Sequence, residues 1–521
     1  MREDDRLSNG SDEEINTTAI VPISTENNPI EQDEFSALQS AKVLMRFAAP
    51  LLARSLILAT GDILKPKILS WKNETLLAGY QDAYVTHWLI ASFLYGAISA
   101  IHTLTSQLKK KVEQGEAEPS ALGNLFRQST LFAATIGLIG AALAWCAPYA
   151  LQLAKQPKSV IESNMDYFPY AAAGLFFDAL YRSQIRFMVG QGIRKTALLG
   201  EIIDISADLA ITSALIFNTS LGLGAAALGF TLSKIITLFF HTLIVYFSPS
   251  QQEYQLFRGE KQIDIATLKL ITQNGIPKGV NSCVNTTANT VISFFCGLHG
   301  TTGLTALQVA SLYNTCVTLP MGALSQATSV NVGKWFENKE SRNAISLGNA
   351  NIFIATCWTI LPVFAAFFAP EYITRILINP NDPSQKNDFD MAVNLLRIQG
   401  PLTTISALYF ATSSALSGLN DNVMPMKIAI LCNFLINLAA ASVAVFALKK
   451  DETWIYGASI IGMTLGSAIL LARWISQAKA YQKPSGMTSN HSVTLFPTTE
   501  QRLLKESERI ASDDASPRRS P

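Results

Sequence analysis

The chain alternates between long apolar runs and short polar stretches. Twelve runs have about 20 residues or more, the length that an α-helix needs to cross a hydrocarbon layer about 30 Å thick. The pattern predicts an all-α integral membrane protein with twelve transmembrane helices. The runs lie near residues 43–64, 83–107, 125–148, 168–190, 196–217, 221–247, 268–297, 303–332, 344–369, 392–418, 424–448 and 454–475.

The amino-acid composition agrees with a membrane location. Of the 521 residues, 49% are hydrophobic and 15% are charged, and the mean hydropathy is +0.24; soluble domains carry about 25% charged residues. The polar segments 1–40 and 479–521 have few aromatic residues with which to build a core, and are predicted to be disordered. We expect no cleavable signal peptide, because the N-terminus lacks a basic region followed by a short apolar stretch.

Several classes of site and partner are not expected. The six cysteines lie within apolar runs and lack the spacing of a disulfide framework or a metal site. The sequence has no basic face or cluster of the kind that binds nucleic acid. The expected partners are the lipid bilayer and a small organic substrate, with no metal, cofactor or nucleic acid.

An even number of spans places both termini on one side of the membrane, here called the tail side. More basic loop residues fall on the tail side than opposite, and the positive-inside rule then makes the tail side cytoplasmic. We predict a multi-pass protein of the plasma membrane, which is the inner membrane in a bacterium. The basic residues on the tail side are Lys109, Lys110, Lys111, Arg194, Lys195, Arg258, Lys261, Lys334, Lys339 and Arg342. Those on the opposite side are Lys65, Lys67, Lys72, Lys449 and Lys450.

The two halves of the chain repeat a set of short motifs. The letters ALY with a glycine nine residues after the tyrosine occur at 179–190 and again at 407–418. Pro50 in the first run recurs as Pro277 in the seventh, and Pro148 at the end of the third recurs as Pro370 at the end of the ninth. The shifts between all these partners, the ALY motif included, lie between 222 and 228 residues. Such six-helix repeats are common in transporters. We divide the chain into an N-terminal lobe at 41–248, a linker at 249–267 and a C-terminal lobe at 268–478.

An acidic stripe interrupts the fifth apolar run, which contains the letters GEIIDISADLA at 200–210. Glu201, Asp204 and Asp208 fall within an arc of roughly 60° on one helix face. At 1.5 Å per residue from Lys195, the two aspartates lie roughly 14 and 20 Å into the membrane. An ionised carboxylate near the bilayer centre costs about 2.5–3.5 kcal/mol, so the stripe indicates an ion or substrate pathway.

Three longer segments carry a family resemblance. They read GALSQATSVNVGKWFENKESRNA at 322–344, SALSGLNDNVMPM at 414–426 and VGQGIRKTALLGEIIDISADL at 189–209. Their order within a two-lobe chain resembles the MATE family, the multidrug and toxic compound extrusion transporters, over about residues 41–478. The resemblance implies a monomeric antiporter, not an enzyme, that exports small cationic or amphipathic compounds by alternating access, coupled to H⁺ or Na⁺.

The resemblance also implies where the coupling ion binds. The N-terminal lobe would hold a cation or proton site, and the C-terminal lobe lacks the acids that many family members carry at positions matching Asn285 and Ser406. The implied site residues are Asp62, Asp178, Asp204 and Asp208, with Glu201, Thr231 and Pro50 as accessory residues. Two of these acids occupy positions where the family often has asparagine.

Other interpretations stay open at this point. The acids could be structural and neutralised within the bundle, and the candidate pairs are Asp178 with Arg182, Lys234 with Glu201 or Asp204, and Asp62 with Lys65. A flippase of lipid-linked oligosaccharides would need basic residues in the first helices, where Arg54 is the clear candidate. A transporter fold that serves as a membrane receptor or scaffold is a third possibility. A membrane enzyme is disfavoured because no nucleophile and base pairing emerges.

Overall fold

The computed structural model describes residues 35–153, 155–156, 158–258, 263–297, 301–338, 340–375, 386–448 and 452–482, and these ranges contain helices and connecting turns but no strand. The long helices are α1 Ala37–Lys72, α2 Glu74–Ile98 continuing as Ala100–Glu113, α3 Pro119–Leu153, α4 Lys158–Gly190, α5 Arg194–Asn218, α6 Leu223–Phe247, α7 Ile265–Gly297, α8 Thr301–Glu337, α9 Ser341–Phe368, α10 Lys386–Gly418, α11 Val423–Ala447 and α12 Glu452–Gln482. Within α11, Ala429–Ile436 and Val443–Ala447 are π-helical. Two short helices, Pro249–Gln252 and Pro370–Arg375, lie in connections.

Each predicted apolar run coincides with one long helix, and most of the helices extend beyond their runs at one or both ends. Helix α1 begins at Ala37 because a capping box precedes it. The Ser36 hydroxyl accepts from the Gln39 N–H at 3.2 Å, and the Gln39 side chain accepts from the Ser36 N–H at 2.9 Å. Residues 37–40 are therefore helical, and so are residues 479–482 at the end of α12, although both segments were predicted to belong to disordered tails. The rest of both predicted tails, 1–34 and 483–521, lies outside the described residues.

Seven of the long helices are long and apolar enough to cross a membrane by length and composition alone, within the described ranges. They are α1, α2, α3, α6, α9, α11 and α12. All five remaining helices contribute buried charged or amide side chains: Asp178 of α4, Glu201 of α5, Asn274 of α7, Asn331 of α8 and Gln399 of α10. Polar residues that face the protein interior lower the mean hydropathy of a helix without preventing it from spanning the bilayer.

Helices α2 and α7, one from each lobe, lie in close contact. A Cβ atom on Gly96 would lie 2.7 Å from the Lys278 carbonyl oxygen and 2.9 Å from the Gly279 Cα. A Cβ on Gly279 would likewise lie 2.9 Å from the Phe93 carbonyl oxygen. Small residues let two membrane helices approach to backbone contact. The lobes therefore meet through glycine surfaces on these two helices.

Polar contacts join the lobes on the tail side, close to the ends of α2 and α8. The His102 Nε2 lies 2.7 Å from the Ser329 Oγ, and the Ser106 hydroxyl donates to the Val330 carbonyl at 3.1 Å. The buried ion pair between Lys111 Nζ and Glu337 Oε1, at 2.8 Å, completes this set. We call these six residues the tail-side junction. Its burial indicates that the lobes are closed against each other on the tail side.

Candidate ion and substrate site

The acidic stripe of α5 faces the protein interior. Glu201 and Asp204 each have about 1% of their surface exposed, and the Asp208 side chain has 16%. Helix α5 packs against α1 on one side and α6 on the other. The stripe thus faces the two helices that could supply it with cations.

Each acid of the stripe has a cationic partner. Arg54 of α1 donates through Nε to Glu201 at 2.9 Å. Lys65, also of α1, lies 2.8 and 2.9 Å from the two carboxylate oxygens of Asp208. Lys234 of α6 donates to Asp204. The stripe is therefore neutralised by three ion pairs that tie α5 to its neighbours.

Asp178 of α4 extends this arrangement. Its Oδ2 accepts from the Arg182 Nε at 2.8 Å, and its Oδ1 lies 3.6 Å from the Lys234 Nζ. The Arg182 guanidinium also lies over the Tyr95 ring, 3.7 Å from the centroid, a cation–π contact. Lys234 consequently bridges carboxylates from two helices, Asp178 and Asp204.

Asp62 differs from the other four acids. Its side chain is exposed, and within the described part of the chain no lysine or arginine nitrogen forms an ion pair with it. The Tyr84 hydroxyl donates to its Oδ1 at 3.4 Å. Lys65, one helical turn further along α1, pairs with Asp208 instead. The sequence-based pairing of Asp62 with Lys65 is therefore not the arrangement found.

These groups form what we call the N-lobe charge cluster, with five carboxyl groups and four cations. The carboxyl groups belong to Asp62, Asp178, Glu201, Asp204 and Asp208, and the cations to Arg54, Lys65, Arg182 and Lys234. With every group ionised, the cluster carries one net negative charge. A monovalent cation or a proton would neutralise it.

A cavity of about 120 Å³, the N-lobe cavity, opens onto this cluster. Asp62, Asp204 and Asp208 line it together with Lys65, Arg182 and Lys234. Asp204 and Asp208 therefore form ion pairs and also line a cavity. From the sequence, structural pairing and an ion pathway were alternatives. A small cation entering the cavity would meet the unpaired Asp62 carboxylate.

Aromatic residues of α2 form one wall of the N-lobe cavity, and sequence reasoning missed them. Tyr80, Tyr84 and Trp88 follow one another at intervals of four residues, so they project from one helix face. The rings of Tyr80 and Tyr84 lie 5.6 Å apart, and those of Tyr84 and Trp88 lie 6.4 Å apart. This i, i+4, i+8 spacing was the available signal for an aromatic wall.

The two remaining accessory residues lie away from the carboxylates. The Thr231 hydroxyl donates to the Tyr170 carbonyl at 2.6 Å and joins α6 to α4. Pro50 lacks an N–H, which leaves the Arg46 carbonyl one turn earlier without its helical donor. The Arg194 Nη1, at the start of α5, donates to that carbonyl at 2.9 Å. Pro50 thus creates a contact between α1 and the helix that bears the acidic stripe.

The corresponding region of the C-terminal lobe is built from neutral groups. Asn285 donates to the Asn281 side-chain oxygen at 3.2 Å and accepts from the Asn433 amide at 2.8 Å. The Tyr409 hydroxyl also donates to Asn281, at 3.0 Å. Ser406 is buried, with 7% of its surface exposed. An amide and hydroxyl network therefore occupies the place where the N-terminal lobe has charges.

Comparison with known proteins decides the family. The MatE family model matches residues 50–205 and 277–443, well over half of the chain. The chain is a member of the MatE family. Its two matched segments fall one in each lobe, in keeping with the internal repeat. MATE proteins are multidrug efflux transporters, so the chain is an integral, multi-pass membrane transporter of that family.

Curated relatives and solved structures of MATE proteins extend this result. The chain is 24% identical to a probable multidrug resistance protein NorM of Pseudomonas putida over 443 residues, covering 82% of this chain and 93% of the relative. A NorM of Synechocystis is 23% identical, covering 84% and 95%. An outward-facing multidrug resistance MATE transporter superposes with a TM-score of 0.76 at 14% identity, covering 85% and 97%. A MOP superfamily transporter from Pyrococcus furiosus gives a TM-score of 0.74 at 14% identity, with the same coverage. The chain therefore has the MATE fold of twelve transmembrane helices in two lobes.

Proposed function

We propose that this MATE protein is a monomeric secondary transporter that exports small organic compounds in exchange for an inward flux of H⁺ or Na⁺. The coupling ion binds at the N-lobe charge cluster, and the lobes open alternately to the two sides of the membrane. The protein resides in the plasma membrane with both termini cytoplasmic. The observation that carries the proposal is Asp62, a carboxylate without an ion pair among the described residues, facing a cavity inside the N-terminal lobe.

The ion pairs around Asp62 support this assignment. Arg54, Lys65, Arg182 and Lys234 hold four carboxylates in place, so one negative charge is left over for a mobile cation. Tyr84 donates to Asp62 and could equally point its hydroxyl oxygen at a bound ion. Binding and release of one cation at Asp62 would change the net charge of the cluster. A charge change inside a low-dielectric lobe can bias one conformation over another.

We expect Asp62→Asn to slow ion-coupled transport strongly while leaving the fold intact. The test uses proteoliposomes of the full chain that carry a pH gradient, and then a Na⁺ gradient, with a panel of organic cations and anions added. Wild-type protein should dissipate one of the two gradients in a substrate-dependent manner. Asp62→Asn should slow this by about tenfold or more, equivalent to about 1.4 kcal/mol.

Asp166→Asn is the matched control, because Asp166 is an exposed acid of the same lobe that does not line the N-lobe cavity. Its transport should equal that of the wild type. If the wild type dissipated neither gradient with any of the probes, coupled transport would be rejected and the scaffold interpretation favoured. Wild-type rates in Asp62→Asn would remove Asp62 from the mechanism.

A further inference from the structure

A second cavity, of about 220 Å³, lies between the lobes, and its charge is opposite to that expected for a receptor of organic cations. It is lined by Arg186 of α4, Lys278 of α7 and His102 of α2, with hydroxyl and amide side chains around them. No aspartate or glutamate lines it in the part of the chain that the structure describes. We call it the inter-lobe cavity. Both lobes contribute one cation to it.

The two cations differ from five other buried or half-buried cations among the described residues. Arg54, Lys65, Arg182, Lys234 and Lys111 each have a carboxylate partner. Arg186 and Lys278 are half-buried, yet neither forms a hydrogen bond or ion pair with another described residue. The Arg186 Nη1 in particular is buried and without an acceptor. A buried cation with unsatisfied donors is unfavourable unless an anion completes it.

The rest of the lining suits an anion of modest size. Ser282 and Ser325 present hydroxyl groups that can donate, and Asn281 presents an amide. The volume exceeds the roughly 150 Å³ that holds a benzene molecule in an engineered cavity. Guanidinium and ammonium groups bind carboxylate and phosphate oxygens through charge-assisted hydrogen bonds. The lining therefore fits a single ring or short chain that bears a carboxylate or phosphate.

We propose that the inter-lobe cavity is a binding site for an organic anion, held between Arg186 and Lys278. This inference rests on the proposed function in one respect: the bound anion is taken to be a transported substrate. Anion binding itself does not depend on transport. The cavity borders the glycine contact of α2 with α7 and the His102–Ser329 contact of the tail-side junction. Because its two cations come from different lobes, the bound anion draws the lobes together. The coupling cation and the anionic substrate occupy separate cavities.

The test compares three probes that share one ring and differ in charge: benzoate, benzyl alcohol and benzylammonium. Thermal unfolding of the full-length protein is followed in a zwitterionic detergent as each probe is titrated, since a ligand that binds only the native state raises the midpoint. Benzoate should raise the midpoint of the wild type, and the other two probes should not. Arg186→Gln and Lys278→Gln should each weaken the apparent affinity for benzoate by about tenfold or more.

Lys269→Gln is the matched control, because Lys269 is an exposed lysine of the same helix α7 outside the cavity. It should respond to benzoate as the wild type does. The charge-reversed variant Arg186→Glu/Lys278→Glu should prefer benzylammonium, which keeps the test decisive if a single variant is unstable. Equal shifts with all three probes, or an unchanged benzoate shift in both glutamine variants, would overturn the proposal.

Two further arms separate related explanations. Phosphatidylglycerol is added first alone and then together with benzoate; if it raises the midpoint alone and abolishes the further shift by benzoate, the anion is a lipid headgroup, and the site is supported with that source. Binding needs no gradient, so benzoate-selective stabilisation without gradient-driven transport would reject the proposed function alone. Gradient-driven transport without selectivity for benzoate would reject the anion site alone.

Discussion

Replacing Lys234 by methionine should lower the stability of the protein more than removing any exposed ion pair. Lys234 pairs with Asp204 and lies 3.6 Å from Asp178, and all three side chains are buried. Among the described side chains, Asp204 would then keep the Thr237 hydroxyl, at 3.5 Å, as its one remaining partner. Breaking a buried pair by removing one partner costs about 3–5 kcal/mol, because an uncompensated charge remains. The measurement is the thermal unfolding midpoint of the purified protein.

The double variant Lys234→Met/Asp204→Asn should regain most of that loss, since it removes both charges together. Arg375→Met is the control, because its pair with Glu371 is exposed and 3.9 Å long, and such pairs contribute about 0–1 kcal/mol. If Lys234→Met and Arg375→Met lowered the midpoint equally, the N-lobe charge cluster would not be a buried ionic network.

The substitution Gly96→Leu should shift the protein away from the arrangement closed on the tail side. The added side chain would start 2.7 Å from the Lys278 carbonyl and 2.9 Å from the Gly279 Cα, and backbone atoms cannot move aside as a flexible side chain can. Overpacking of this kind typically costs about 1–3 kcal/mol. That range corresponds to a population shift of roughly 5- to 150-fold.

Spin labels at Lys110 and Arg342, near the tail-side ends of α2 and α9, report this shift as an increased distance by double electron–electron resonance. Gly322→Leu is the matched control, because no atom lies within 4 Å of a Cβ built at Gly322. Its distance distribution should equal that of the wild type. A wild-type distribution in Gly96→Leu would mean that the α2–α7 contact does not hold the tail side closed.

The fold could be predicted from the sequence because hydrocarbon thickness imposes a length on each apolar run. The ends of the helices could not, since the polar residues that extend α1 to Ala37 lie beyond the apolar segment and carry no hydropathy signal. The capping residues Ser36 and Gln39 were the local signal for that end. The separation into six-helix lobes followed from motif repetition, which hydropathy alone does not provide.

The ion pairs of the candidate site could be predicted only where the two residues are close in the sequence or lie on helix faces that were expected to meet. Asp178 and Arg182 are four residues apart, and their pairing was among the alternatives. Lys234 was expected near Glu201 or Asp204, and it contacts Asp204. Arg54 pairs with Glu201 across 147 positions, and no local pattern indicates that contact. Arg54, the candidate named for the flippase interpretation, is consequently paired with an acid and lines neither the N-lobe cavity nor the inter-lobe cavity.

If the proposed cation exchange operates at the N-lobe charge cluster, we expect transport to be sensitive to voltage. With one carboxyl group in excess, the cluster is neutral when a monovalent cation is bound and carries one negative charge when the cation has left. Export of one monovalent anion, the substrate proposed for the inter-lobe cavity, in exchange for one monovalent cation would move two elementary charges in the same electrical direction, equivalent to about 4.6 kcal/mol per 100 mV of membrane potential. A K⁺ diffusion potential set with valinomycin should therefore change the exchange rate, and an unchanged rate would contradict this charge movement.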